Sequence, residues 1–187
     1  MLPLDRDKIG NMTALNVACR ILETRLIRPE EAAEVQRVLE SNAGYSQRVS
    51  GGATAPDAGQ AVLTALPPGV DRSRKIDLGL WEDERLVAFA DVILFWPDPT
   101  TAHIGLLVTD GTREGQGIGR LTHKAVLEML RAHLPIRTLR LSVVDTNAEI
   151  ASPFWMALGY RLTGEAVPYS SGSVESIARV WSRPVNG

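Results

Sequence analysis

Residues 113–120 read Arg-Glu-Gly-Gln-Gly-Ile-Gly-Arg, with Gly115, Gly117 and Gly119 at alternate positions. Glycine lets a backbone take positive φ and puts no Cβ between its N–H groups and a ligand. Such a turn between a strand and a helix leaves successive N–H groups unpaired at the positive end of the helix dipole, which suits an anion. The chemistry this favours is the holding of a pyrophosphate. Two familiar phosphate loops do not fit. A dinucleotide turn has G-x-G-x-x-G early in a parallel βαβ unit, with an acidic residue about 20 positions on, whereas the pattern here is G-x-G-x-G, late in the chain. A nucleotide-hydrolysing loop needs G-x-x-x-x-G-K-[ST], and this segment has no lysine followed by Ser or Thr. A ligand-free flexible turn would carry the same three glycines, so the surroundings must decide.

Asp91 is a second candidate, because it interrupts the apolar run 86–95. A carboxylate in a buried strand is costly unless paired, so Asp91 accepts a proton in a reaction, accepts a structural hydrogen bond, or sits on the solvent side of an edge. His103, at the start of the next apolar stretch, is a weaker candidate for the same role. Cys19 is the only cysteine; an intrachain disulfide and a thiolate metal cluster are both excluded, and no metal site is expected.

The elements that must position these residues follow from periodicity. A strand is expected over 23–27, then a helix over 29–41 opened by Pro29-Glu30-Glu31, where proline and carboxylates suit a helix start. Residues 42–55, rich in Gly, Ser and Ala, read as a loop, and 57–66 as a second helix stopped by Pro67-Pro68-Gly69. Strands are expected over 78–82, 86–95 and 101–109. After the glycine segment, a helix over 117–133 carries Ile118, Leu121, Ala125 and Met129 on one face and Arg120, Lys124, Glu128 and Arg131 on another. A strand over 138–144, a helix over 147–158 and strands over 159–166 and 176–182 complete the chain. Residues 1–17 show no period and read as a poorly ordered arm, leaving 18–187 as a single domain.

With these elements in place, the glycine segment resembles the acetyl-CoA signature of the GNAT N-acetyltransferases, [QR]-x-x-G-x-[GA], with Gly117 and Gly119 on its glycines. Glu114 stands at its first position, and Arg113 one residue earlier. Residues 147–160 are similar to the family's later motif, N-x-x-A-x-x-F-Y-x-x-x-G-F. Phe154, Gly159 and Tyr160 fall in register, Ala151 falls on the motif's alanine, Asn147 stands one place upstream, and Trp155 replaces the motif's tyrosine. The order of elements from residue 23 to residue 184 is also the family's. The resemblance implies a mixed α/β (α+β) fold with a mostly antiparallel central sheet of six to seven strands and about four flanking helices.

It further implies an acetyl-CoA-dependent N-acetyltransferase acting on a primary amine of a small molecule or peptide. Acetyl-CoA would lie between two splayed strands, against Leu107, Val108 and Thr109, with its pyrophosphate on Glu114, Gly115, Gln116, Gly117, Ile118, Gly119 and Arg120. Asn147, Phe154 and Trp155 would complete the cofactor site, and a backbone N–H of Val108 or Thr109 would face the developing oxyanion. An amine nucleophile with a pKa near ~10.4 needs a proton acceptor at neutral pH, for which Asp91 is the candidate. Tyr169 is the candidate acid toward the departing thiolate, since an indole at Trp155 donates a hydrogen bond but does not protonate. Tyr45 and Ser170, on segments expected to frame the acceptor, are candidate substrate contacts. Two rival readings remain: a non-catalytic acyl-CoA-binding or regulatory module, and a plain phosphate-binding α/β domain.

Composition bounds the partners. The chain has 187 residues, 44% hydrophobic and 22% charged, with a formal net charge of −2, ordinary values for a compact globular protein. Charges of both signs are interspersed, so no nucleic-acid partner is expected. No stretch approaches the ~18 apolar residues of a membrane span, and the first residues lack a secretory leader; the expected setting is cytoplasmic, away from membranes. A homodimer is compatible with a fold of this kind, although no interface shows in the sequence.

Overall fold

A computed structural model describes residues 12–17, 20–132 and 135–186. Strands β1 (Met12–Val17), β2 (Arg20–Leu26), β3 (Lys75–Glu82), β4 (Arg85–Leu94) and β5 (Thr101–Thr109) run antiparallel in sequence order. β5 then pairs parallel with β6 (Thr138–Val144), and β8 (Val174–Pro184) and β7 (Arg161–Ser171) close the sheet antiparallel. The order across the sheet is β1-β2-β3-β4-β5-β6-β8-β7. Its one parallel pair needs a crossover, which α4 (Ile118–Arg131) supplies. The expected mixed, mostly antiparallel sheet is the fold found, with β1 added at one edge.

Each face is covered for a reason visible in the apolar spacing. α1 (Ala32–Glu40) buries Val35, Val38 and Leu39, a helical i, i+3, i+4 stripe, and with Leu63 of α3 (Ala58–Thr64) packs on Leu86, Phe89 and Val108. On the other face, α4 sets Ala125, Val126, Met129 and Leu130 against Leu78, Ala90, Val92, Ile104 and Leu141, joined by Trp155 of α5 (Ala148–Ala157). β4, buried along nearly its whole length, lies between the two layers, which is why its sequence is a continuous apolar run rather than an alternation.

Three expectations are revised. Residues 1–11 of the expected arm lie outside the described residues, but Met12–Val17 pairs with β2 as an edge strand; a strand supported mainly from one side leaves little periodicity to read. Residues 42–55, expected as a loop, contain the helix α2 (Ala43–Ser50), ended by Gly51 at φ 77. Its Gly and Ser content weakens intrinsic propensity, and docking supplies the stability instead. β7 continues to Ser171 and β8 starts at Val174, so the gap left between the expected strands 159–166 and 176–182 reduces to a two-residue turn at Gly172 and Ser173. Pro168 is tolerated within β7 because β7 is an edge strand.

One buried carboxylate fixes how the front layer meets β5. Asp110, 1% exposed, accepts from Arg37 Nη1 at 2.6 Å, Arg85 Nη2 at 3.2 Å, Thr112 N at 3.0 Å and Thr112 Oγ1 at 2.7 Å. Burial opposes its charge, but these donors outweigh that and hold its carboxyl well below the usual carboxylate range. Arg37 also donates to Leu86 O and to Glu34, so one guanidinium joins α1, β4 and the end of β5. Asp110→Asn is therefore expected to lose about 2 kcal/mol in urea unfolding at pH 7. Because the folded pKa is depressed, this difference should be fully present above about pH 4, the unfolded value. It should shrink as pH falls toward the folded value, so acid titrations of wild type and variant should converge.

Candidate active site

β5 and β6 pair only from Thr101↔Thr138 to Ile104↔Leu141, yet β5 continues to Thr109 and β6 to Val144. The strands part, and a cavity of about 490 Å³ occupies the gap. It is lined by Ile104, Gly105, Leu106, Leu107, Val108 and Thr109 on one side and by Leu141, Ser142, Val143 and Val144 on the other. The peptide groups facing it can be identified. Asp110 N donates to Val87 O at 2.9 Å, within the antiparallel ladder with β4. Peptide groups alternate sides along a strand, so the N–H of Val108 also turns to β4, while the N–H groups of Leu107 and Thr109 turn to the gap. Asn42 Nδ2 donates to Thr109 O at 2.8 Å from the gap side, as this alternation requires. Of the two donors expected to face an oxyanion, Thr109 has the right direction and Val108 does not.

The gap runs into the glycine segment. After a short 3-10 turn at Gly111–Arg113, Gly115 and Gly117 take φ values of 75 and 77, with open space where each would carry a Cβ. Gly117 caps α4, leaving the first N–H groups of that helix toward the cavity. Gly119 serves packing instead: its Cβ would stand 3.3 Å from the Phe154 ring. Of the residues proposed for the pyrophosphate, Glu114, Gly115, Gly117, Ile118, Gly119 and Arg120 line the cavity, together with Arg113. Gln116 does not; its side-chain oxygen accepts from Arg113 Nε at 3.0 Å. Arg113 also bonds Glu82 at 2.8 Å, which leaves the exposed Arg120 as the loop cation in no ion pair among the described residues.

α2 crosses the mouth of the gap. Its start is fixed by Asn42 on Thr109 O and by Gly111 N donating to Ser41 Oγ at 2.9 Å. Its end is fixed by Ser173 N on Ser50 O at 3.0 Å and Tyr169 Oη on Val49 O at 3.1 Å. Between these anchors, Arg48 Nε donates to Asn147 Oδ1 at 2.7 Å, just ahead of α5. Asn42, Tyr45, Arg48 and Val49 line the cavity. Tyr45 was expected, but reading 42–55 as a loop hid Asn42, Arg48 and Val49; the i, i+3, i+4 spacing of Tyr45, Arg48 and Val49 was the available signal for the last two.

The remaining candidates divide. Asn147, Phe154, Trp155 and Tyr45 line the cavity. Tyr169 does not: its proton is engaged with Val49 O, which makes it a strut for α2 rather than an acid toward a leaving group. Ser170 is exposed and bonds Glu175 at 2.6 Å, outside the cavity. Trp155 packs edge-on against Phe154, Tyr160 and His123, and Tyr160 Oη lies 3.0 Å from His123 Nε2. Burial, with a smaller push from Arg183, lowers His123 to about 4, so it is neutral. Tyr45 is the only phenol lining the cavity among the described residues, and burial raises it to about 12.

Asp91 lies behind the cavity wall. It pairs with the fully buried Lys75, which is also 3.2 Å from Asp77. Burial raises the Asp91 carboxyl above the usual range even though Lys75 opposes the shift, and pushes Asp77 up to about 6. The register slips by one residue between Asp91↔Leu106 and Val92↔Ile104, leaving Gly105 opposite no residue. A Cβ on Gly105 would stand 2.7 Å from Asp91 Oδ2, so this carboxylate lies against a cavity-lining glycine without itself lining the cavity. His103 is packed edge-on against Trp96, lowered to about 4 by burial and then by Arg140, and does not line the cavity.

Comparison with known proteins places this geometry. A model of the acetyltransferase (GNAT) family matches residues 56–160. No curated protein matches the chain. Among solved structures, an acetyltransferase from Thermus thermophilus superposes with a TM-score of 0.65 at 23% identity, covering 92% of this chain and 99% of its own. The ribosomal-protein-S18-alanine N-acetyltransferase from Escherichia coli superposes at 0.63 with 16% identity, covering 88% and 94%. An N-acetyltransferase from Staphylococcus aureus superposes at 0.65 with 14% identity, covering 88% and 98%.

The anchoring of α2 yields a test independent of any ligand. A Cβ on Gly111 would stand 2.2 Å from Ser41 O, a backbone atom that cannot rotate away. Gly111→Ala should destabilise the fold by about 1–3 kcal/mol in chemical denaturation and raise amide hydrogen exchange across Ala43–Ser50.

Proposed function

The chain belongs to the GNAT acetyltransferase family, and from that premise we propose that it transfers an acetyl group from acetyl-CoA to a primary amine of a small molecule or peptide. The observation that carries this reading is the continuity of one open surface: the gap-facing peptide groups of Leu107 and Thr109 lead directly to the N-terminus of α4 at Gly117. A pantetheine amide chain has donors and acceptors for the former, and a pyrophosphate suits the latter. The open space at Gly115 and Gly117 fits such an anion. A cytoplasmic setting belongs to the same reading; no helix among the described residues is long and apolar enough to cross a membrane.

Acetyl-CoA, when bound, supplies an activated acyl carbon and a thiolate leaving group. The N–H groups of Leu107 and Thr109 are the gap's fixed donors for an acyl oxygen gaining charge, and donors already in place need no reorganisation as that charge grows. The amine nitrogen forms its bond to the acyl carbon as the carbon–sulfur bond breaks, and the amine proton must leave. Asp91 accepts it past Gly105, directly or through one water. Its raised pKa makes it a stronger base than an ordinary aspartate, and Lys75 stabilises its charged form. Tyr45 keeps its proton at neutral pH and takes the donor role that α5, with Trp155, does not supply.

Trp155 also favours a second reading, a non-catalytic acyl-CoA-binding module, because α5 presents no phenol to the cavity. Calorimetric titration separates the readings. Acetyl-CoA and CoA should bind, and NAD and ATP should bind far more weakly. Gly117→Asp, which places a carboxylate against the pyrophosphate, should weaken acetyl-CoA by at least about tenfold, or about 1.4 kcal/mol. Binding without thiol release over a broad amine panel would select the module; absence of acetyl-CoA binding by folded protein would reject both.

Asp91→Asn should lower kcat by about 10²–10⁴-fold with acetyl-CoA affinity retained. A base must be deprotonated, so the wild-type rate should rise with pH through a pKa above the usual aspartate range. An unchanged acidic limb in the variant would remove Asp91 from the mechanism.

A further inference from the structure

Arg48 is a cation of the cavity that lies outside the glycine loop and in no ion pair among the described residues. The cavity's other loop-side guanidiniums are accounted for: Arg113 is paired with Glu82, and Arg120 stands at the start of α4, where an anion belongs. Arg48 lines the same cavity, half-buried. Its single hydrogen bond among the described residues uses Nε, to the neutral amide oxygen of Asn147, and it pairs with no described carboxylate. Its two terminal nitrogens, the fork that matches a carboxylate, are left without a hydrogen-bond partner among the described residues.

Position then decides which anion it meets. α2 starts beside Thr109 and Gly111, next to the glycine loop, and ends at the β7–β8 turn. The guanidinium leans back along α2, as helical side chains do, with Nη1 3.1 Å from where a Cβ on Gly44 would stand, but its Nε is held at 2.7 Å by Asn147, which follows β6, so the head group sits on the β6 side of the cavity. In the acetyl-transfer reading the pantetheine and thioester would lie along that wall, and neither carries a charge. A half-buried cation facing a neutral stretch of cofactor lacks its counter-charge until the second substrate arrives.

We propose that Arg48 binds a carboxylate of the acceptor, so that the substrate class is an amine that also carries an acidic group, such as an amino acid or an acidic peptide. This rests on the acetyl-transfer reading above and narrows its substrate. Tyr45, one turn earlier on α2, faces the same cavity and flanks the acceptor. The guanidinium also disfavours the ammonium form of an amine held beside it, which raises the neutral, nucleophilic fraction.

The test uses matched amines differing only in the carboxylate, with thiol release as the readout: phenylalanine against phenethylamine, β-alanine against propylamine, and an acetyl-accepting tripeptide amide with a central glutamate against one with glutamine. The first two pairs report a free amino acid and the third an acidic peptide. Wild type should favour the acidic member of at least one pair at least tenfold in kcat/KM. Arg48→Gln should erase that preference, mainly through KM, Arg48→Lys should restore part of it, and calorimetric affinity for acetyl-CoA should stay within twofold. Equal use of both members by wild type overturns the inference, as does a preference that survives in Arg48→Gln. Weakened acetyl-CoA binding in Arg48→Gln, with the preference intact, would assign Arg48 to the cofactor. If acetyl-CoA binds and no amine of any pair releases thiol, the transfer reading fails and the inference fails with it; turnover of uncharged amines alone defeats only the inference.

Discussion

Where β5 leaves β6 after Ile104, two strands continue side by side without pairing. Unpaired peptide groups in a protein interior are costly, so the rest of the structure has to hold the strands apart and leave those groups facing something polar. The parting is enforced from several sides. β5 stays on β4 through Thr109↔Ala88, while β6 stays on β8 through Val144↔Ala178. Phe154 and Trp155 of α5 line the gap from the α4 side. The result is a built opening whose exposed backbone suits an extended amide ligand.

The charged groups are arranged in the same service. Asp110 ties α1 and β4 to the point where β5 becomes the glycine loop, so the loop starts from a fixed place. α2, anchored at both ends, closes the front of the gap without filling it. The Lys75–Asp77–Asp91 group is different in kind. It buries an ammonium between two carboxylates, an arrangement that hydrophobic residues of the same volume replace without loss of stability in many proteins. It lies directly behind Gly105, at the point where the strands part.

The aromatic layer under α5 explains how the chain accommodates Trp155. Trp155, Tyr160 and His123 pack edge to face, and the Tyr160 hydroxyl meets the neutral His123 ring. The indole is thus part of the core, 8% exposed, with one surface at the cavity. A phenol is brought to the cavity instead by α2, whose register decides which of its side chains face the gap.

The sequence by itself determined the run of strands from β2 to β8, the two covering layers and the glycine turn, because these rest on local signals: the unbroken apolar run of β4, the helical stripe of Ile118, Ala125 and Met129, and glycines at the two loop positions where φ is positive. It also singled out Asp91, since a carboxylate in a buried strand is conspicuous in one dimension. Only the tertiary structure decided the rest. α2 is held by hydrogen bonds to residues as distant as Thr109 and Tyr169, and its own Gly- and Ser-containing sequence reads as a loop. Tyr169 and Ser170 sit on a strand whose turn is shorter than its composition suggested, so their side chains fall outside the cavity. Whether Val108 or Thr109 turns its N–H to the gap depends on the register with β4, and whether Asp91 reaches the gap depends on a one-residue slip opposite Gly105. Periodicity fixes which residues share a face; register and docking, set by contacts between segments far apart in the chain, fix what each face meets.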